Sequence, residues 1–219
     1  MQMHNITRRK LLQSMAMTGA GIAGTGLAAA GLATAMPALA STNGTKGGNT
    51  INTPLKGNVN HSVSRWTYGD LSIEELCQTV KQLGFGAIDL VGPEDWPVLK
   101  QYGIDSSMCN GAEISLEDGF IHTELHDELE ARYLKHIDLV ANAGYTNLIC
   151  FSGNARGMSR EDGLENAVKG LKRILPHAEK RNVVIFMELF NSKIDHPDYM
   201  ADNSVWGIEL CKRLGSKHF

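Results

Sequence analysis

The sequence predicts an α/β fold, an incomplete (β/α)8 TIM barrel, and three observations lead to this expectation. From residue 59 onward, short strand-like runs alternate with amphipathic helical patterns, which is typical of parallel strands joined by helical crossovers. The runs 147–152 and 183–190 are nearly continuous in apolar residues, as expected of strands covered on both faces. An open doubly wound sheet would share these two features, but no Gly-x-Gly-x-x-Gly follows the first strand-like run. The barrel is therefore favoured over the open sheet.

The individual elements can be placed in chain order. We predict strands over 59–66, 87–91, 104–109, 147–152 and 183–190. A capping box from Ser72 to Glu75 opens the first helix, and Gly84 stands where that helix should end. Further helical stripes run over 125–140, 164–178 and 204–214. Because 217–219 resembles the opening of a sixth strand, we expect five to six of the eight βα units and a C-terminally incomplete chain.

The first 40 residues follow the pattern of an export signal. Arg8 and Arg9 precede a weakly apolar stretch rich in Gly and Ala, and a small-x-small cleavage pattern ends at Ala40, before Ser41. The paired arginines resemble a twin-arginine signal, which implies export of the folded protein to the periplasm through the Tat export machinery. An uncleaved membrane anchor is the alternative, disfavoured because the stretch is only weakly hydrophobic. Residues 41–58 are predicted to be a flexible linker before the partial barrel at 59–219.

The charge and the cysteines restrict the class of protein. The formal net charge is -3, and the basic residues of the signal, with no acidic residue among the first 40, leave the remainder more acidic still. Such a domain, without a basic stripe, is not expected to bind nucleic acid. The cysteines show no CxxC spacing, so free buried thiols are favoured over disulfides or a zinc site. They are Cys77, Cys109, Cys150 and Cys211.

Glu188 is the strongest candidate for chemistry. It follows Val183–Met187, at the carboxyl end of the most apolar run. The carboxyl ends of the strands form the active face of a (β/α) barrel, and a carboxylate there can bind a hard cation or transfer a proton. A structural carboxylate paired with an Arg or Lys of a neighbouring strand is the alternative.

Other polar residues stand at or after strand ends. The candidates for substrate binding are Arg65, Trp66, Asn110, Asn191, Lys193 and His196. Lys193 and His196 belong to the polar segment after the last strand, where a solvated loop is the alternative. The Gly-rich segment 152–157 has the composition of a weak anion-binding loop. Asp89, inside a strand, is interpreted as structural.

Several segments together resemble the hydroxypyruvate isomerase family, which belongs to the xylose-isomerase-like TIM-barrel superfamily. They are Cys150–Asn154, Met187–Lys193, Asp195–Met200, Gly92–Pro97 and Trp206–Arg213. The resemblance extends from about Val59 to Phe219 and implies interconversion of hydroxypyruvate and tartronate semialdehyde through an enediolate. It assigns Glu188 as a metal ligand and proton donor or acceptor. A carboxylate-rich shell favours Mg²⁺ or Mn²⁺ over Zn²⁺ as the divalent metal ion.

The resemblance also sets limits and leaves alternatives open. A second catalytic glutamate and the remaining metal ligands of the family belong to later strands, so catalysis by this chain alone is not expected. A sugar epimerase or dehydratase of the same superfamily would share Glu188 and act on a larger small-molecule substrate. A non-catalytic periplasmic sugar-binding protein is the alternative function outside the class of enzymes. Homo-oligomerisation is left open.

Overall fold

The computed structural model describes residues 59–219, which contain a five-stranded, entirely parallel sheet. The strands are β1 (Ser62–Ser64), β2 (Ala87–Val91), β3 (Asp105–Cys109), β4 (Asn147–Cys150) and β5 (Val184–Met187). All five lie inside the predicted runs, and each is as long as or shorter than its run. The predicted α/β class is therefore confirmed.

The strand order distinguishes the barrel from the open sheet. Neighbours in the sheet follow the chain without interruption, in the order β1-β2-β3-β4-β5. A doubly wound sheet reverses its order at a switch point, whereas a TIM barrel adds each strand beside the preceding one. At the edge formed by β5, the N–H of Ile185 donates to the carbonyl oxygen of His218 at 2.8 Å. The segment predicted to open a sixth strand thus already lies alongside β5, although it is not itself a strand.

Within residues 59–219, five α-helices cover the outer face of the sheet or connect its strands. They are α1 (Ile73–Gln82), α2 (Trp96–Tyr102), α3 (His126–Ala143), α4 (Arg160–Arg181) and α5 (Ser204–Leu214). Short 3-10 helices at Arg65–Tyr68 and Thr123–Leu125 follow β1 and precede α3. Four of the five helices were predicted, and α2 was not.

Local signals explain where the helices begin and end. The predicted capping box is present, because the Ser72 hydroxyl accepts from the N–H of Glu75 and the Glu75 carboxylate accepts from the N–H of Ser72. The Asn203 side chain caps α5 in the same way, by accepting from the N–H of Trp206 at 3.0 Å. The helix α2 has seven residues with Pro97 in its first turn, too short to show a helical stripe in the sequence.

The core lies between the sheet and the helices, and it includes most of the cysteines. Cys77, Cys109 and Cys150 are buried and free, as predicted. The prediction of burial was wrong for Cys211, which is free but exposed on α5. Its position in the helix lies outside the buried stripe of Trp206 and Leu210.

The predicted signal and linker, residues 1–40 and 41–58, lie outside the described residues. Within residues 59–219, no helix has the length and apolar character needed to cross a membrane.

Candidate active site

Glu188 lies at the carboxyl end of the sheet, directly after β5. Its N–H donates to the carbonyl oxygen of Cys150 at 3.2 Å, so the backbone still runs beside the end of β4. The side chain is half-buried and lines two adjacent cavities of the inner face. Within residues 59–219, no hydrogen bond or ion pair holds the Glu188 carboxylate. The alternative of a carboxylate paired with an Arg or Lys therefore finds no support.

The electrostatic environment of Glu188 favours its protonated form. Burial raises the pKa of the Glu188 carboxyl above its ordinary value, and the negative charge of Asp89 raises it further. His196 acts in the opposite direction. A half-buried carboxyl with a raised pKa and no partner in the described part of the chain is suited to accept and return a proton.

The larger cavity, of about 700 Å³, collects most of the predicted substrate-binding residues. It lies over the carboxyl ends of the strands, and residues from the segments that follow β1, β2, β3, β4 and β5 line it. Five of the predicted residues meet there: Arg65, Trp66, Asn110, Glu188 and His196. The sequence thus placed them at separate strand ends, and the fold brings them to one cavity.

Asn191 and Lys193 are not among the residues that line this cavity. The Asn191 side chain organises its own loop, because its carbonyl oxygen accepts from the N–H of Lys193 at 3.0 Å and its amide donates to Asp195 at 3.3 Å. Lys193 is exposed. The geometry assigns these two residues to the loop after β5 and not to the cavity wall.

An aromatic wall closes one side of the cavity. Phe190 stacks between Phe151 and His196, with ring centroids 5.8 Å and 4.2 Å away, and Tyr199 meets Phe190 edge-on. The hydroxyl of Tyr199 donates to the carbonyl oxygen of Glu188 at 3.3 Å and accepts from the N–H of Ser152 at 2.9 Å. Tyr199 therefore joins the loops after β4 and β5. This role of Tyr199 was not predicted from the sequence. The presence of a tyrosine in the loop was the one feature that could have suggested it.

The Gly-rich segment 152–157 is not a free anion cradle, contrary to that interpretation. The N–H groups of Asn154 and Ala155 donate to the carbonyl oxygens of Glu117 and Asp198, at 2.9 and 2.7 Å. The N–H of Arg156 donates to the Asp198 carboxylate at 2.7 Å. Because its donors are used inside the protein, this loop serves to hold the site together.

Arg65 is the arginine of the larger cavity, and its charge is partly engaged. It donates to the carbonyl oxygen of Tyr68 at 3.1 Å and lies 3.9 Å from the carboxylate of Asp95. Burial raises the pKa of Asp95, the nearby Glu94 raises it further, and Arg65 opposes both. Trp66 beside it is 72% exposed and lines both cavities.

The described residues supply part of the ligand set that a metal ion would need. The unpartnered carboxylate of Glu188 has the hard oxygen chemistry that a divalent cation prefers. Among residues 59–219, however, no group of three or more His, Cys, Asp or Glu side chains is placed to hold a metal ion. Glu188 fits as one ligand, and the described residues do not supply a complete shell.

The fold and the site define a (β/α) barrel protein with a candidate acid–base carboxylate at the carboxyl ends of its strands. The chain belongs to the family described as "Xylose isomerase-like TIM barrel", whose profile matches residues 77–219. No curated protein sequence is significantly similar to the chain.

Solved structures support the same fold. An AP endonuclease of family 2 from Brucella melitensis superposes with a TM-score of 0.61 at 15% identity, over 71% of this chain and 65% of that one. A D-psicose 3-epimerase, solved in the presence of D-fructose, gives 0.57 at 13% identity, over 73% and 61%. The IOLI protein with a zinc atom gives 0.57 at 12% identity, over 71% and 59%. The chain spans less than two thirds of the length of each.

Proposed function

We propose that this chain belongs to a metal-assisted isomerase or epimerase that moves a proton at the carbon next to a ketone. The observation that carries the proposal is the Glu188 carboxylate, which is half-buried, without a partner among the described residues, and exposed to both cavities. A bound divalent ion, with Mg²⁺ or Mn²⁺ favoured, would polarise the ketone and acidify the neighbouring C–H. One similar structure contains zinc, which supports a divalent ion in this site but does not identify the metal.

The described residues suggest how the proton moves. Glu188 accepts the carbon-bound proton and can return it, and burial, which raises the pKa of its carboxyl, favours the protonated form. Tyr199 fixes the backbone of Glu188, and the stack of Phe151, Phe190 and His196 shields one side of the cavity from water. The site therefore combines a mobile proton with a rigid support.

The charge of the cavity supports a neutral keto-sugar over hydroxypyruvate. Four carboxylates line the cavity. Arg65 also lines it, and its guanidinium group is already close to Asp95. The four are Glu94, Asp95, Glu113 and Glu188. A carboxylate substrate would be repelled by this set, whereas a polyol would find hydrogen-bond acceptors. Hydroxypyruvate isomerisation remains the second candidate, supported by Arg65 as the group that would hold the substrate carboxylate.

Deuterium exchange in D2O tests the proposal, because exchange needs one acid–base carboxylate and not the complete reaction. The chain is incubated with Mg²⁺ and either D-fructose or hydroxypyruvate, and incorporation is followed by NMR. We expect deuterium in D-fructose, at C3 for an epimerase and at C1 for an aldose–ketose isomerase. Exchange into hydroxypyruvate alone would favour the second candidate.

The variant Glu188→Gln separates the proposed role from a structural one. Loss of the carboxylate should lower the exchange rate by about 100-fold or more, since a positioned acid–base group contributes on that order. Glu124→Gln, which alters an exposed carboxylate outside both cavities, is the matched control. An unchanged exchange rate in a folded Glu188→Gln protein would refute the proposal.

We also propose that the chain is exported to the periplasm by the Tat route. The support is the sequence alone: Arg8 and Arg9, the Gly/Ala-rich stretch, and the cleavage pattern before Ser41.

A further inference from the structure

The inner face of the sheet carries a polar side chain on each of β1, β2 and β3, where the interior of a TIM barrel is usually filled by branched apolar side chains. Ser64, Asp89 and Ser107, one from each of these strands, line a cavity of about 560 Å³ together with Glu188. Ser64 and Asp89 are partners in the strand register, so their side chains share one face. We call these three residues the polar floor.

Two members of the polar floor have no hydrogen-bond partner among the described residues. The hydroxyl oxygens of Ser64 and Ser107 are buried, and neither forms a hydrogen bond with any residue in the described part of the chain. A buried hydroxyl without a partner carries a free-energy penalty, so such groups are normally satisfied by a ligand or a water molecule. The polar floor therefore has unused capacity to bind hydroxyl groups.

A β-bulge brings Asp89 into this position. The register between β2 and β3 shifts on both sides of Asp89, and the next residue, Leu90, has a φ of 56°. Leucine rarely adopts this left-handed conformation, and bulges near functional sites serve to redirect side chains. Leu90 itself lines both cavities.

The Asp89 carboxylate has one oxygen available. Its Oδ2 accepts from the hydroxyl of Ser62 at 2.9 Å, which fixes the side chain against β1. Its other oxygen accepts no hydrogen bond within residues 59–219. An oriented carboxylate with one open oxygen beside two unpaired hydroxyls matches the alternating donors and acceptors of a polyol.

We propose that Asp89, flanked by Ser64 and Ser107, is a specificity-determining residue that accepts a hydrogen bond from a hydroxyl of a polyhydroxy substrate whose carbonyl end lies at Glu188. This inference rests on the proposed function, since it assigns the other end of the same substrate. Strands β3 and β4 lie between β2 and β5, and the two carboxylates line one cavity from different strands. A six-carbon ketose has hydroxyl groups on C3 to C6 that can reach Asp89 while its carbonyl end lies at Glu188, and a three-carbon ketose lacks these groups.

The affinities of two ketoses test the inference. Saturation-transfer NMR in the presence of Mg²⁺ measures the binding of D-fructose and of dihydroxyacetone to the unaltered chain and to its variants. Asp89→Ala should weaken D-fructose binding by about tenfold, the loss of one charge-assisted hydrogen bond, and change dihydroxyacetone binding by less than about twofold. Asp89→Asn, which keeps the shape and an acceptor for Ser62, should give a smaller loss for D-fructose.

Ser62→Ala is the control for a purely structural role, because it removes the bond between the strands and leaves the carboxylate. If Asp89 only joins β1 to β2, then Ser62→Ala and Asp89→Ala lower the melting temperature alike and neither changes the selectivity between the two ketoses. That result overturns the inference while D-fructose exchange by the unaltered chain preserves the proposed function. Absence of both ketose binding and exchange in the unaltered chain overturns the two together.

Discussion

At the scale of single residues, Tyr199 shows how the site is held. Its hydroxyl bridges the N–H of Ser152 and the carbonyl oxygen of Glu188, and both Tyr199 and Ser152 are buried. A buried N–H that loses its acceptor contributes its full desolvation cost, which exceeds the net value of an ordinary hydrogen bond. The phenol oxygen of Tyr199 therefore supports the Glu188 backbone together with the hydrogen bond from the Glu188 N–H to the carbonyl oxygen of Cys150.

Replacing Tyr199 by Phe removes that oxygen and keeps the ring against Phe190. We expect the free energy of unfolding, measured by urea denaturation, to fall by about 1–3 kcal/mol. Tyr102→Phe is the control, since the Tyr102 hydroxyl accepts from Gln78 at the surface, where water replaces it, and should change stability by about 0.5 kcal/mol or less. Equal effects of the two substitutions would show that the buried Tyr199 hydroxyl contributes no more to the free energy of unfolding than an exposed hydroxyl does.

Asp202 gives the loop after β5 a dependence on pH. Hydrogen bonds from Arg160, Ser192 and Asn203 hold the pKa of Asp202 well below its ordinary value. The depressed pKa means that its stabilising contribution is complete above the pKa of the unfolded chain, about 4, and is lost as the pH falls below it. We expect the free energy of unfolding to decrease from about pH 4 downward, and this decrease to be smaller in Asp202→Asn. An identical acid profile in the two proteins would contradict the assignment.

Glu188 and Asp89 show what a sequence can reveal about single residues. Glu188 was predicted because a carboxylate after five apolar residues has few explanations. Asp89 was interpreted as structural, since the bulge that places it and the positive φ of Leu90 arise from pairing with β3, which lies elsewhere in the chain. The signal that was present is the series of small polar residues on the inner positions of β1 and β3.

At the scale of elements, the approach of α4 to the segments around α3 depends on Gly170. A Cβ added there would lie 2.6 Å from Nε2 of His126 and 2.9 Å from the ring of Phe120. The His126 ring nitrogen is itself hydrogen-bonded to the carbonyl oxygen of Phe120 at 2.9 Å. Neither group can move without breaking a buried contact.

Two Gly→Ala substitutions in helices should therefore have opposite signs. Alanine in place of a helical glycine normally stabilises by about 1 kcal/mol, and Gly207 in α5 has room for it, with Leu189 at 3.4 Å. Gly207→Ala should raise the melting temperature, and Gly170→Ala should lower it, because overpacking costs about 1–3 kcal/mol of unfolding free energy. Thermal unfolding followed by circular dichroism measures both, and stabilisation by Gly170→Ala would show that the helices can separate at no cost.

The helices were predictable to different extents for physical reasons. Helices α1, α3, α4 and α5 carry caps or long apolar stripes that are local in the sequence. Helix α2 has two buried residues, Trp96 and Leu99, and its existence depends on packing against α1 and β3. A seven-residue helix has too few turns for periodicity to reveal it.

At the scale of the whole molecule, the alternation of strands and helices fixed the class of fold but not its closure. Barrel and open sheet share that alternation. The sequence favours the barrel only through a missing glycine motif, and the sequential order of the five strands, which pairing over long distances determines, separates the two folds in the structure. The candidate site was also predictable only in part. Residues at strand ends, such as Asn110 and Glu188, could be placed at one edge of the sheet from the sequence. That Asn191 and Lys193 do not line the cavity depends on the hydrogen bonds inside their loop, which the sequence does not reveal.

Export is proposed for the whole chain from the sequence alone, and the proposal rests on the pair Arg8 and Arg9. The Tat route carries folded proteins, so a barrel that has folded around any ligand acquired in the cytoplasm would cross intact. Replacing both arginines by lysine keeps the positive charge but removes the recognised pair, and we expect the precursor to accumulate in the cytoplasm. Lys10→Gln removes a neighbouring charge, leaves the pair, and serves as the control.

Cell fractionation with mass spectrometry of the N-terminus measures the outcome of these substitutions. The unaltered protein should be recovered from the periplasm with Ser41 as its first residue, because Ala38 and Ala40 provide the small side chains that the peptidase requires. Equal export of the double lysine variant would show that the chain does not use the twin-arginine pair. Recovery of an uncleaved, membrane-bound chain would instead support the anchor, whose weakly apolar Gly/Ala stretch makes it the less favourable structure in a bilayer.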